Sequence, residues 1–302
     1  MTVASTESSA AGRKALAFPQ ERASSPSFGD WMSLAAAGLA GSVVLSLLLA
    51  VLGYFYGFSR ALVVWAIWWA LAGVFVLRGP ANALGRSVAG WREPRPDEGE
   101  ILTNAFIRVC VAAGENWGSF THRVARGSWN AHASGRNILA ATADVLTGED
   151  AVEPVELEAM LAHELAHHRH RDLLLAGPKW WLLAPLALVD VVGRALSHVP
   201  LLGPPLAAAL WFPFRWIVFP FRAISSLASR PRELAADRFA VDCGYALPLE
   251  RLFERFAGLE RSWQGGLFEW MLSTHPGAAD RIAEIRGVEA ETAGIPRLVS
   301  EA

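Results

Sequence analysis

Lysine is almost missing from this chain of 302 residues: Lys14 and Lys179 are the only two among 27 basic side chains. That bias reflects a GC-rich genome more than a mechanism. An excess of either charge sign is also missing, because 27 basic and 29 acidic residues leave a net charge of −2. Neither a nucleic-acid footprint nor a strongly acidic partner is therefore indicated. Cysteine is limited to Cys110 and Cys243, far apart and in apolar surroundings, so there is no CxxC metal site and no need for an oxidising compartment. Both read as small buried side chains. Charge is absent altogether from Met32 to Phe58, and 53% of all residues are hydrophobic. With a mean hydropathy of +0.28, a membrane protein is the first expectation.

The charge-free run exceeds the roughly 20 residues a helix needs to cross a bilayer, and Tyr54, Phe55 and Tyr56 resemble an interfacial belt at its end. Beyond Arg60, residues Ala61–Leu77 form a second apolar run, so 31–78 is expected to be a helical hairpin. Residues 1–30 are rich in Ser, Ala and charge and read as a flexible tail. The first run is too long, and starts too far from Met1, for a cleaved signal peptide. Arg13, Lys14 and Arg22 precede the hairpin and Arg78, Arg86, Arg92 and Arg95 follow it, which places both of its ends in the cytoplasm.

The chemistry begins at His163-Glu164-Leu165-Ala166-His167. On an α-helix, residues i and i+4 share one face, so two imidazoles at this spacing converge on one tetrahedral ion. Glu164 lies about 100° further round, well placed to reach an attacking water. A zinc ion would bring that water's pKa towards about 7 while the carboxylate moves its proton to the leaving amine. The motif proposes peptide hydrolysis, against the plainer reading of a polar helix turn. Pro154, with Glu153, Glu156 and Glu158, supplies a helix start upstream. The downstream run His168-Arg169-His170-Arg171-Asp172 reads as a basic turn beside lipid headgroups rather than as more metal ligands.

Residues 79–100 read as a linker. After it, Ile101, Leu102, Ala105, Phe106, Val109, Cys110 and Ala113 recur with helical period. Thr121–Arg126 and Ile138–Thr142 are strand-like, with Gly135-Arg136-Asn137 as the turn before the second, so a small sheet beside the motif helix is expected. Such an edge can hold an extended peptide as an added strand. Leu173–Val192 and Val199–Phe221 suggest a second membrane hairpin, interrupted by Lys179, Asp190, Arg215 and seven prolines. Ser229 and Pro231 suggest a new helix start, which places Glu233 and Asp237 one turn apart on one face. That pair is either a third ligand with a carboxylate behind it or two solvated acids beside Arg232 and Arg238. Leu249, Leu252, Phe253, Phe256 and Leu259 form the apolar face of a further helix.

Several ordered segments resemble the membrane-embedded zinc metalloproteases that include the HtpX-like proteins and the type I CAAX prenyl endopeptidases, HtpX-like most of all. Asn130-Ala131 followed by Gly135 is similar to the family's NA-xxx-G. After His163–His167 and Arg171-Asp172 come Ser229-Arg230, Arg232-Glu233 and Ala236-Asp237, then Ser273-Thr274-His275-Pro276 with Arg281-Ile282. The resemblance implies His163, His167 and Glu233 as ligands of one zinc ion and Glu164 as the general base. It implies Asn130 and His275 beside the scissile carbonyl as oxyanion donors, and a structural or supporting place for Arg281.

The expected fold is a mainly α membrane protein with a small β-sheet, in which a gluzincin-like metallopeptidase domain is combined with about four transmembrane helices. The hairpins 31–78 and 173–221 would alternate with two parts of the protease unit, 79–172 and 222–302. The expected function is a multi-pass zinc endopeptidase of the cell membrane, facing the cytoplasm. Its partners would be the lipid bilayer and membrane-associated or misfolded protein substrates, with no nucleic acid. A sensor-transducer protease of the β-lactam receptor type and a catalytically silent scaffold are the alternatives. A site-2-type intramembrane protease fits less well, because the Glu and Arg residues around the motif would sit poorly in hydrocarbon.

Overall fold

Ser27 and Asp30 start the first helix by capping each other: the Ser27 hydroxyl accepts from the Asp30 amide (3.2 Å) and the Asp30 carboxylate accepts from the Ser27 amide (2.9 Å). The computed structural model describes residues 26–77, 80, 82–83, 91–125, 130–135, 137–148, 151–260 and 276–292. The tail expected to reach residue 30 therefore yields to helix α1 (Phe28–Tyr56). Gly57, at φ +93°, separates it from α2 (Phe58–Val74), so the hairpin turns at the residue free to adopt that backbone and not at Arg60.

The chain continues through α3 (Pro96–Ala113), β1 (Thr121–Ala125), β2 (Ala131–Ser134), β3 (Ile138–Thr142), α4 (Ala143–Thr147), α5 (Pro154–Arg169), α6 (Ala176–Leu182) and α7 (Ala184–Ser197). It then forms α8 (Gly203–Asp242), α9 (Ala246–Glu260) and α10 (Ala278–Thr292). Two packed regions result. One joins α3, the sheet, α5, the end of α8, α9 and α10 around Phe106, Leu139, Leu161, Leu165, Leu252 and Ile285. The other joins α1, α2, α6, α7 and the first part of α8 around Ala37, Val44, Trp68 and Leu182. Here a Cβ on Gly41 would collide with the Leu182 carbonyl, so glycine lets α1 lie directly against α6.

Four sequence expectations change. The linker over 79–100 gives way to helix at Pro96, and Ile101, expected in the core, is 38% exposed. Strand β2 had no apolar signature; it is made by pairing antiparallel to β3, which also pairs parallel to β1. No helix starts at Ser229. Helix α8 is continuous for 40 residues, across residues 221–222, with Pro231 in its interior and the Ser229 hydroxyl donating to the Ser226 carbonyl (2.9 Å). An interior proline costs about 3 kcal/mol, and packing of α8 on α1, α5 and α7 overrides it. Finally, among the described residues, one helix (Phe28–Phe55) is long and apolar enough to cross a bilayer. The pair Asp172–Leu182 and Ala184–Ser197, bent by 54°, makes a second if counted as one span, and α2 has 17 residues.

Cys110 and Cys243 are free, as expected, and burial pushes both thiols up to about 12. The start of α3 carries an ion pair that sequence did not single out. Arg92 donates from both terminal nitrogens to Glu98 (2.5 and 2.6 Å), whose side chain has no exposure. This hydrogen bond holds the Glu98 carboxyl at about 2 against the opposing effect of desolvation. A depressed carboxylate stabilises the fold above its unfolded value near 4.3, and that contribution is lost as pH falls towards 2. Glu98→Gln should therefore cost roughly 2 kcal/mol at pH 7. In thermal unfolding, its deficit against wild type should shrink steadily between pH 5 and pH 2; a pH-independent deficit would refute the assignment.

Candidate metal centre

Helix α5 starts with Pro154 in its first turn and a Glu153–Glu156 capping box, as its sequence suggests. It carries His163, Glu164 and His167 to a point faced by Glu233 of α8. The Nε2 atoms of His163 and His167 are 3.3 Å apart, and Glu233 oxygens stand 3.4 Å from the first and 3.7 Å from the second. Ligands held about 2.0–2.1 Å from a tetrahedral ion must lie roughly 3.3 Å from one another, so these three side chains fit one metal ion. The His163 and Glu233 side chains are 9% and 8% exposed, and such a buried set of nitrogen and carboxylate donors is costly without a cation.

The far side of each imidazole is held. His163 Nδ1 donates to Asp237 (2.8 Å), and Arg281 grips that carboxylate with Nε (2.7 Å) and Nη2 (2.5 Å). The Arg281 guanidinium in turn lies over the Phe253 ring, 3.9 Å from its centre. Without a cation, burial lowers the His163 pKa but hydrogen bonds to Asp237 and Glu233 outweigh it and raise it; a metal ion at Nε2 would take the place of the proton shared with Glu233. His167 Nδ1 donates to Asp172 (2.9 Å). Both rings therefore turn Nε2 towards Glu233, the tautomer that metal ligation needs. By sequence Asp172 only ends a basic turn. Arg171, in the left-handed region at φ +58°, ends the helical path and folds Asp172 back under His167. A non-glycine residue there costs about 1 kcal/mol, which tertiary packing must offset.

Neither neighbouring histidine joins the centre. His168 Nε2 donates to the Ile138 carbonyl (2.9 Å), and the His170 ring stands edge-on to Phe239. A cavity of about 320 Å³ opens on the centre. Its walls are Asn130, Ala131–Ala133 of β2, Glu164, His167, Asp172, Leu173, Ala176, Lys179, Arg232 and Glu233. The outer edge of β2 faces inward, with the Ala133 amide donating to Glu164 (2.6 Å). Asn130 lines the cavity, its Oδ1 accepting from the Ala131 amide (2.8 Å). His132, Lys179 and Arg232 were not assigned to the site by sequence; no local pattern marks a side chain that reaches a cavity only through tertiary packing. His275 lies outside the described residues.

Two histidines, a carboxylate and a strand edge that no further strand pairs among the described residues meet at one cavity, the arrangement of a metal-dependent peptidase centre. The sequence profile of Peptidase family M48 matches residues 117–289, more than half of the chain, and the chain belongs to that family. A protein described as a protease HtpX homolog from Acidiphilium cryptum is 31% identical over 189 residues, covering 52% of this chain and 63% of that protein. One from Thermoanaerobacter pseudethanolicus is 28% identical over 145 residues, covering 44% and 46%. The match thus spans less than two thirds of either relative. The crystal structure of S. mikatae Ste24p is similar at a TM-score of 0.44 and 17% identity, over 86% of this chain and 66% of that one.

Proposed function

We propose that this protein is an integral-membrane zinc endopeptidase that cleaves membrane-associated or misfolded proteins at the cytoplasmic face. The observation that carries the reading is the spacing of His163, His167 and Glu233 beside Glu164 and an open strand edge. In this reading the three residues hold one zinc ion per chain, with Asp237, Arg281 and Asp172 keeping the imidazoles in place. Zinc supplies Lewis-acid polarisation of the scissile carbonyl and a lowered pKa for the attacking water. Glu164 takes the proton of that water and passes it to the leaving amine. Asn130 and His275 act as donors to the developing oxyanion. The edge of β2 aligns the substrate by main-chain pairing, which demands extension rather than a particular sequence.

The membrane assignment rests on apolar surface. Leu39, Leu47, Leu62, Ile67, Leu188, Val191, Phe212 and Trp216 are all more than half exposed, on α1, α2, α7 and the first half of α8. In this reading these helices would form the two membrane hairpins expected from sequence. Arg232, next to Glu233, pairs with Asp30 in the first turn of α1 (2.5 Å). That pair ties the candidate metal centre to the end of α1 that follows Arg13, Lys14 and Arg22, which supports the reading that the centre faces the cytoplasm.

Purified full-length protein should bind about one equivalent of zinc and cleave an unfolded membrane-protein substrate. Chelation should abolish cleavage, and one equivalent of zinc should restore it. A protein that binds such a substrate with or without zinc, and never cleaves it, would instead be a scaffold.

A further inference from the structure

Pro231 lies inside α8, two residues before Glu233. It has no N–H to give to the Leu227 carbonyl four residues back, so the hydrogen-bond ladder is interrupted where the apolar first part of the helix passes into the part that carries Glu233 and Asp237. Its side chain is exposed and fills no core. The first turns of α1 lie across this point. A Cβ on Gly29 would stand 3.2 Å from the Ala228 Cβ, and the Ser33 and Ser225 hydroxyls share a hydrogen bond (2.9 Å), both before the proline. Beyond it, Asp30 pairs with Arg232 (2.5 Å). Ser225, Ala228 and Arg232 recur at i, i+3 and i+7 on one face of α8, so α1 grips the helix on both sides of the interruption.

Asp30 is itself firmly held: it is 4% exposed, and its other oxygen accepts from the Ser27 amide (2.9 Å) and hydroxyl (2.8 Å). Its charge also acts on Lys179, which lines the metal cavity together with Asp172, the acceptor for His167. We propose that Asp30 is a positioning residue for the metal centre, which through Arg232 splints α8 across Pro231 and holds Glu233 where it meets His163 and His167. The inference rests on the metal-centre reading, and it makes that centre depend on a helix outside the residues that the family profile matches. Metal–ligand distances tolerate changes of only about 0.2 Å, so a slight bend at Pro231 is enough to spoil the set.

The test is chelator competition for zinc on full-length protein in detergent, well below its melting temperature. Asp30→Asn keeps an oxygen for the Ser27 cap but gives up the charge that Arg232 needs, and it should bind zinc roughly tenfold more weakly than wild type. Pro231→Ala, which supplies the missing N–H, should bind as wild type does, and in its background Asp30→Asn should lose less than about twofold. Pro220→Ala restores the same kind of bond farther up α8 and should give Asp30→Asn no relief, which separates splinting from a general gain in stability. Asp30→Asn with Arg232→Met strands no buried charge and should show the same tenfold loss, so the test stands even if the single variant does not fold. Hydrogen exchange of the apoprotein should run faster at amides 233–237 in Asp30→Asn and return to the wild-type rate with Pro231→Ala. Equal zinc affinity in wild type and Asp30→Asn overturns the proposal. So does a loss that Pro231→Ala leaves in place or that Pro220→Ala relieves equally, and so does unchanged exchange. Wild type that binds no zinc refutes the metal reading and this proposal with it, a result distinct from zinc binding that is indifferent to Asp30.

Discussion

Glu164→Gln should lose peptide cleavage by roughly a thousandfold, the scale of a positioned general base, while keeping its zinc. Glutamine retains an oxygen acceptor for the Ala133 amide, which donates to the Glu164 carboxylate at 2.6 Å, so the strand edge stays against α5. It cannot take a proton from water. His163, His167 and Glu233 form the metal set without Glu164, so zinc content by metal analysis should remain near one equivalent. Thermal stability should also stay close to wild type. The measurement is single-turnover cleavage under saturating enzyme, which separates chemistry from substrate binding. Cleavage at the wild-type rate would remove Glu164 from the mechanism; loss of zinc together with cleavage would make it a ligand rather than a base.

The second large effect is expected at Asp237, which is fully buried and joins His163 to Arg281. Asp237→Ala leaves the guanidinium of Arg281, itself only 8% exposed, without its counter-ion. Breaking a buried pair from one side costs roughly 3–5 kcal/mol. The remaining carboxylate near Arg281 is Glu233, 3.9 Å from Nη2, so the freed cation would compete with the metal for it. His163 would also lose the acceptor that sets its tautomer, and zinc affinity should fall 10- to 100-fold. A chelator competition and a melting curve with and without zinc measure both effects. The double change Asp237→Leu with Arg281→Met should recover much of the stability and none of the affinity, because it removes the stranded charge but not the need to orient His163. Equal zinc affinity in Asp237→Ala and wild type would show that the buried pair is structural only.

Much of the centre was legible because helix geometry makes it local. His163, Glu164 and His167 need only a 3.6-residue repeat to share a face, and Pro154 with its flanking acids announces where that repeat begins. The small sheet was half legible: β3 is a buried apolar run, whereas Ala131–Ser134 has no pattern of its own and becomes a strand by pairing with β3. The break after the first apolar helix falls at Gly57 and not at Arg60, because charge marks Arg60 while the backbone turns at the glycine. Ser229 and Pro231 misled more seriously. Their local preference is to begin a helix, yet packing along the length of α8 carries the helix through them.

By itself the sequence marked His163 and His167 as a candidate metal pair, the apolar character of the N-terminal hairpin, Asp237 as a carboxylate one turn from Glu233 and, through ordered resemblance, Glu233 as a third ligand with Arg281 in a supporting place. Tertiary structure alone decided how those residues are supported. Asp172 comes under His167 through a left-handed residue, Arg281 reaches Asp237 from a helix 44 positions away, and Lys179 meets the metal cavity from a short helix packed on α1. Ligand spacing along one helix is a short-range periodic property, readable from residue order. The lining of a cavity is a set of groups that only folding brings together, which is why Lys179 reads in the sequence as an interruption of an apolar run and in the fold as part of the cavity over the metal centre.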